Sequence, residues 1–129
     1  MAKIYAGSTP KYLIKIKDEA GVQLDPTNLD QVSKVLVYIY NSITGNVIGR
    51  FIYYYGPQEP FSDYTWMQHK DLGNGDVRLL LVLTAAQTIA AEGNGNKIQI
   101  TVHVPDTEVA GDRIIIKTGE FSEIVKAKS

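Results

Sequence analysis

The 129-residue chain contains no cysteine, which excludes a disulfide framework, a thiolate nucleophile and a Cys-ligated zinc. Charge imbalance is also lacking: thirteen Lys and Arg against fourteen Asp and Glu leave a formal charge of −1. No global field draws such a chain to nucleic acid, anionic lipid or acidic substrates, so neither nucleic acid nor membrane is expected as a partner. Long apolar runs are missing too. None approaches the roughly 18 residues needed to span a bilayer, and the opening Met1–Gly7 has no apolar signal core. The expectation is a soluble, unprocessed protein.

Catalytic signals are equally sparse, and the chain is expected not to be an enzyme. Histidine occurs twice. His103 shares a strand face with Gln99 and Thr101 and is expected to meet solvent, while His69 lies in a predicted loop without a second histidine nearby to ligate a metal. No serine sits in a Gly-x-Ser-x-Gly context. Asp63 has no partner carboxylate at a separation that sequence defines. Gly73–Gly75 and Gly93–Lys97 lack the helix that a phosphate cradle needs and read as hairpin turns. Asp71, Asn74 and Asp76 carry oxygen ligands but lack the EF-hand spacing and its terminal Glu. No cofactor and no metal are expected.

What the chain does have is alternation. Tyr12, Ile14 and Ile16 oppose Leu13, Lys15 and Lys17, the period of two of a half-buried strand. Val22–Leu24 reads as its short return strand. Val35, Val37 and Ile39 oppose Leu36, Tyr38 and Tyr40, and both faces are expected to be covered. Asn41–Asn46 is of hairpin length, so Val47–Tyr55 should return antiparallel, with Gly49 marking a bulge. Gly56–Lys70 is expected as a long loop with one short strand near Trp66. Asp71–Asp76 is a turn, and the continuous apolar run Val77–Leu83 belongs in the middle of a sheet.

Thr84 and Gln87 fit a capping box opening one or two helical turns rich in alanine. After the Asn94-Gly95 turn, Ile98, Ile100, Val102 and Val104 alternate with Gln99, Thr101 and His103. Pro105 should end this strand, and Arg113–Lys117 and Phe121–Lys126 should supply the last strands around Thr118-Gly119. These signals predict one domain over residues 1–129. The fold class is all-β, an antiparallel immunoglobulin-like β-sandwich of seven to nine strands with one short helix. The Cys and Trp signature of antibody domains is absent.

Aromatic placement is the anomaly. Nine of the twelve aromatics (Tyr38, Tyr40, Phe51, Tyr53, Tyr54, Tyr55, Phe61, Tyr64 and Trp66) fall within 29 residues. Consecutive Tyr53, Tyr54 and Tyr55 must project to both faces of any strand they occupy, so they cannot all be core. Tyr and Trp combine large contact area with a polar handle and are enriched in interfaces. Tyr38, Tyr40, Tyr53, Tyr54, Tyr55, Phe61, Tyr64 and Trp66 are therefore the expected interaction residues. The alternatives are a core with ordinary edge aromatics, or rings that stack on sugars or single-stranded bases, the latter disfavoured by the flat charge balance.

Gly7–Pro10, the alternating Tyr12–Asp18, a Gly turn and the Leu24–Pro26 step together resemble the start of immunoglobulin-like domains in tailed-phage baseplate upper proteins. Leu81–Thr88 is similar to the strand and capped helical turn of those domains, and Thr118–Phe121 to their closing Thr-Gly-x-Phe step. In those proteins fibre-like or receptor-facing parts follow the domain, whereas this chain stops soon after its last strand. The resemblance implies a virion structural protein, made in the host cytoplasm: an auxiliary capsid (decoration) protein or a tail or baseplate adaptor. Its partners would be other virion structural proteins and further copies of itself. A carbohydrate-binding β-sandwich module is the alternative.

Overall fold

The computed structural model describes residues 4–57, 63–106, 108, 111–121 and 124–125. Strands dominate it. In chain order they are β1 (Ile4–Tyr5), β2 (Lys11–Ile14), β3 (Ile16–Lys17), β4 (Gln23–Leu24), β5 (Lys34–Asn41), β6 (Val47–Tyr53), β7 (Thr65–Trp66), β8 (Gln68–Asp71), β9 (Val77–Val82), β10 (Asn96–Pro105), β11 (Asp112–Glu120) and β12 (Ile124–Val125), with one helix, α1 (Ala85–Ala90), after β9. Seven strands of four residues or more build the body, and five two-residue strands tie its margins.

The large sheet has the order β11-β10-β5-β6-β7 and the small one β2-β9-β8; β3-β4 and β1-β12 form separate two-stranded ladders. Alternation explains how the sheets face each other. Val35, Val37 and Ile39 of β5, Phe51 and Tyr53 of β6, Val102 and Val104 of β10 and Ile115 of β11 join Leu79 and Leu81 of β9 in one buried cluster. The arrangement is an all-β, sandwich-like fold with a shared core. The apolar run of β9 does lie centrally, between β2 and β8.

The β5–β6 hairpin carries the expected irregularity. Ile39 pairs with Gly49 but Tyr40 pairs with Val47, so Ile48 is the extra residue, next to Gly49. A Cβ on Gly49 would lie 2.8 Å from Phe51 Cε2 and 2.9 Å from Gln87 Nε2. Glycine here lets α1 settle onto β6. The helix opens as its sequence says: the Thr84 hydroxyl accepts from the Gln87 N–H, and the Gln87 side chain accepts from the Thr84 N–H.

Three expectations need correction. Gln68–Asp71 is not loop but the edge strand β8, antiparallel to β9; all four residues are exposed, so no alternation marks them. His69 is thus on a strand. Thr118-Gly119 is not a turn: β11 runs straight through it, with Gly119 opposite Ile98. Finally, two ladders run parallel within the otherwise antiparallel fold, β1 with β12 across the ends of the chain and β6 with β7, links that two-residue segments do not announce.

The turn after β8 is closed by Leu72 N–H to the Asp76 carbonyl at 2.9 Å, with Asn74 at φ 55°. Asp76 then locks it, accepting from Arg78 Nε and Nη2 and from Gln23 Nε2 at 2.9–3.0 Å. The hydrogen bond from Arg78 first, and that from Gln23 second, hold its carboxyl at about 2 instead of 3.8. A depressed folded-state value means stability that is present above the unfolded value and lost as pH falls through the folded one. Urea midpoints of the native chain and of Asp76→Asn should therefore differ at neutral pH and converge as pH drops from 3.8 to about 2. A gap independent of pH would remove this charge effect.

Candidate functional site

Strand register decides which aromatics can meet a partner. Leu36, Tyr38 and Tyr40 lie on the face of β5 opposite its buried residues, and each is half-buried. Across the ladders Tyr38 pairs with Arg50 on one side and Gln99 on the other, and Leu36 with Ile52 and Thr101. Ile52 pairs in turn with Trp66, and Thr101 with Ile116. Paired residues share a face. One continuous outer face therefore runs from Ile116 through Thr101, Leu36 and Ile52 to Trp66. Ile52 is buried yet stands outside the core cluster, because it faces away from the core between Leu36 and Trp66.

The rings on this face are packed against one another. Tyr38 and Tyr40 stack with centroids 5.0 Å apart and planes at 23°, and the Arg50 guanidinium carbon lies 5.7 Å from the Tyr38 centroid. Tyr54 meets Trp66 edge-to-face at 4.8 Å. Around Tyr38 a groove of about 340 Å³ is lined by Leu36, Val37, Tyr38, Arg50, Tyr64, Gln99 and Thr101. Contacts of this kind restrict the rings, which would lower the ordering cost of any binding on this face.

The expected interaction residues separate as follows. Tyr38, Tyr40, Tyr54, Tyr64 and Trp66 belong to the outer face or its rim, all half-buried. Tyr53 does not: it points inward, only 5% exposed, and is part of the core. Burial, then the neighbouring Tyr55 and Asp25, push its hydroxyl up to about 12. That hydroxyl sits 2.9 Å from His69 Nδ1. Tyr55 lies past the end of β6, half exposed, 6.1 Å from the same imidazole ring. Phe61 lies outside the described residues.

Leu36, Arg50, Gln99, Thr101 and Ile116 were not singled out in sequence, although their parity along β5, β6, β10 and β11 matches that of the tyrosines once the register is known. His103 is on this face too, with its pKa lowered by burial and by Lys34. Elsewhere the polar groups are committed to structure. Asp71 caps Gly73, and Asp76 is held by Arg78 and Gln23, so the two do not converge on a cation. Among the described residues no three His, Asp or Glu side chains are placed to share a metal ion, and no helix is long and apolar enough to cross a membrane.

The face can bury area, stack rings and offer the Arg50, Gln99 and Thr101 side chains as hydrogen-bonding groups. No protein-family model, curated protein or solved structure matches the chain.

Proposed function

We propose that the chain is a structural component of a tailed-phage virion, an auxiliary capsid protein or a tail or baseplate adaptor, that acts by contact and not by turnover. The observation that carries the contact reading is the continuous aromatic and aliphatic outer face of the large sheet, from Ile116 to Trp66. Strands about 4.8 Å apart and about 3.3 Å long per residue make that sheet on the order of 20 by 30 Å. This is on the order of 600 Å², close to one partner's share of a standard interface of about 800 Å² per side. The virion assignment rests on the resemblance of Gly7–Pro10, Tyr12–Asp18, Leu81–Thr88 and Thr118–Phe121 to baseplate upper-protein domains. The immunoglobulin-like topology belongs to the same proposal. The partner is a neighbouring virion protein or another copy of the chain on a symmetric shell, where repeated placement adds avidity.

Buried aromatic anchors typically contribute 2 kcal/mol or more each, roughly 30-fold in affinity. Trp66→Ala and Tyr54→Ala should each lower occupancy in purified particles at least fivefold, with the circular dichroism spectrum of the isolated chain retained. Full occupancy of both variants would contradict the proposal.

The groove over Tyr38, where rings adjoin Arg50, Gln99 and Thr101, favours a second reading as a carbohydrate-binding module. Saturable glycan binding that disappears in Tyr38→Ala would select it.

A further inference from the structure

We propose that the outer edge of β11 is a docking site for an extended acidic segment of another protein, which adds to the large sheet as a sixth strand. Among the described residues the sheet order gives β11 one ladder partner, β10, paired in unbroken register from Lys97↔Glu120 to Pro105↔Asp112. Nine residues present about 30 Å of edge, and alternate backbone groups along it point away from β10. Among the described residues no backbone hydrogen bond reaches Arg113–Glu120 from any other segment. Unfilled edges of this kind are templates for strand addition.

Side chains on the two sides of the edge define what fits. On the outer side Ile114 and Ile116 are 53% and 59% exposed. On the inner side Lys117 meets Lys15 and Lys17 around a seam floored by Ile100, Val102 and Ile115. Lys15 and Lys17 flank Ile16, which is fully buried and anchors them there. The other cation on this side, Arg113, is neutralised by Glu19 and Asp106. The three lysines are not. Lys117 Nζ donates to the Asp18 backbone carbonyl at 2.9 Å, a neutral acceptor. Lys15 does act on Asp76 at longer range, but that carboxylate is already paired with Arg78. Among the described residues no ion pair involves Lys15, Lys17 or Lys117.

A strand whose alternate residues are acidic places them over these lysines and its apolar residues beside Ile114 and Ile116. A second copy of β11 fits less well. Antiparallel self-pairing would bring Arg113, Ile115, Lys117 and Gly119 of the copy to the inner side, none of them acidic, so the edge favours a foreign acidic strand over its own copy.

The site goes beyond the aromatic face and is tested separately, by fluorescence anisotropy with a labelled octapeptide alternating Glu and Val. Saturable binding is expected, weakened at least tenfold by Lys117→Glu and by Lys17→Glu, with amide shift changes in the NMR spectrum concentrated on β11. Both substitutions are at exposed positions, and retained circular dichroism separates lost binding from lost fold. Equal binding of a Lys-Val octapeptide, unchanged affinity of both variants, or shifts that avoid β11 would each overturn the proposal.

Discussion

Truncating Phe51 to alanine is expected to destabilise the fold by about 3–5 kcal/mol, the range for deleting a large buried ring. The side chain is 1% exposed and belongs to the shared core. It lies opposite Val37 on β5, and Gly49 and Gln87 close over it so tightly that a Cβ at Gly49 would clash with the ring. Its removal opens a cavity between β6 and α1 that neither element can fill without moving. Against a total stability of about 5–15 kcal/mol, the loss approaches the margin of folding. Urea denaturation should show a much lower midpoint with unchanged cooperativity, and the melting temperature should fall on the order of 10–20 °C. A loss below about 1 kcal/mol would mean that the core is not packed as described.

Asn41→Ala should have the next largest effect, about 2–3 kcal/mol, because it strands several partners at once. Asn41 is 8% exposed and uses its whole amide. Nδ2 donates to the Asn94 carbonyl at 2.8 Å and to Asn96 Oδ1 at 3.0 Å, while Oδ1 accepts from the Ile43 and Thr44 N–H groups at 2.9 Å. Asn96, only 1% exposed, passes the connection on to the Ala91 carbonyl at the end of α1. The pair joins the β5–β6 turn, the α1 C-terminus and the start of β10. Hydrogen exchange should show lost protection in the Asn41–Asn46 hairpin turn and at Asn96 together. Loss confined to the hairpin turn would uncouple the pair and contradict this account.

Much of the architecture was legible because burial in it is one-sided. The alternation of β5, the continuous apolar run of β9 and the Thr84–Gln87 capping box each state their structure locally. β8 was not legible: Gln68–Asp71 is exposed on both faces, so its pairing is dictated by β9 and not by its own pattern. The β1–β12 ladder joins residues from opposite ends of the chain and has no local signature. In Thr118-Gly119 the glycine suggested a turn, but the ladder to β10 holds it extended.

The candidate face was half legible. The clustering of Tyr38, Tyr40, Tyr54, Tyr64 and Trp66 showed in the sequence, whereas the inward turn of Tyr53 needed the register with Val35. Ile114 and Ile116 were hidden in a run of three isoleucines that masks the alternation around buried Ile115. Leu36, Arg50, Gln99 and Thr101 join the face only through cross-strand pairing, which a single strand's pattern does not contain.

We propose that this protein is held against a neighbour through the outer face of its large sheet. Cryo-electron microscopy of purified phage particles tests it most directly. Density for the chain is expected at a symmetric position, with Tyr38, Tyr40 and Trp66 covered by an adjoining subunit. A chain seated with that sheet face open to solvent, or missing from the particles, would contradict it.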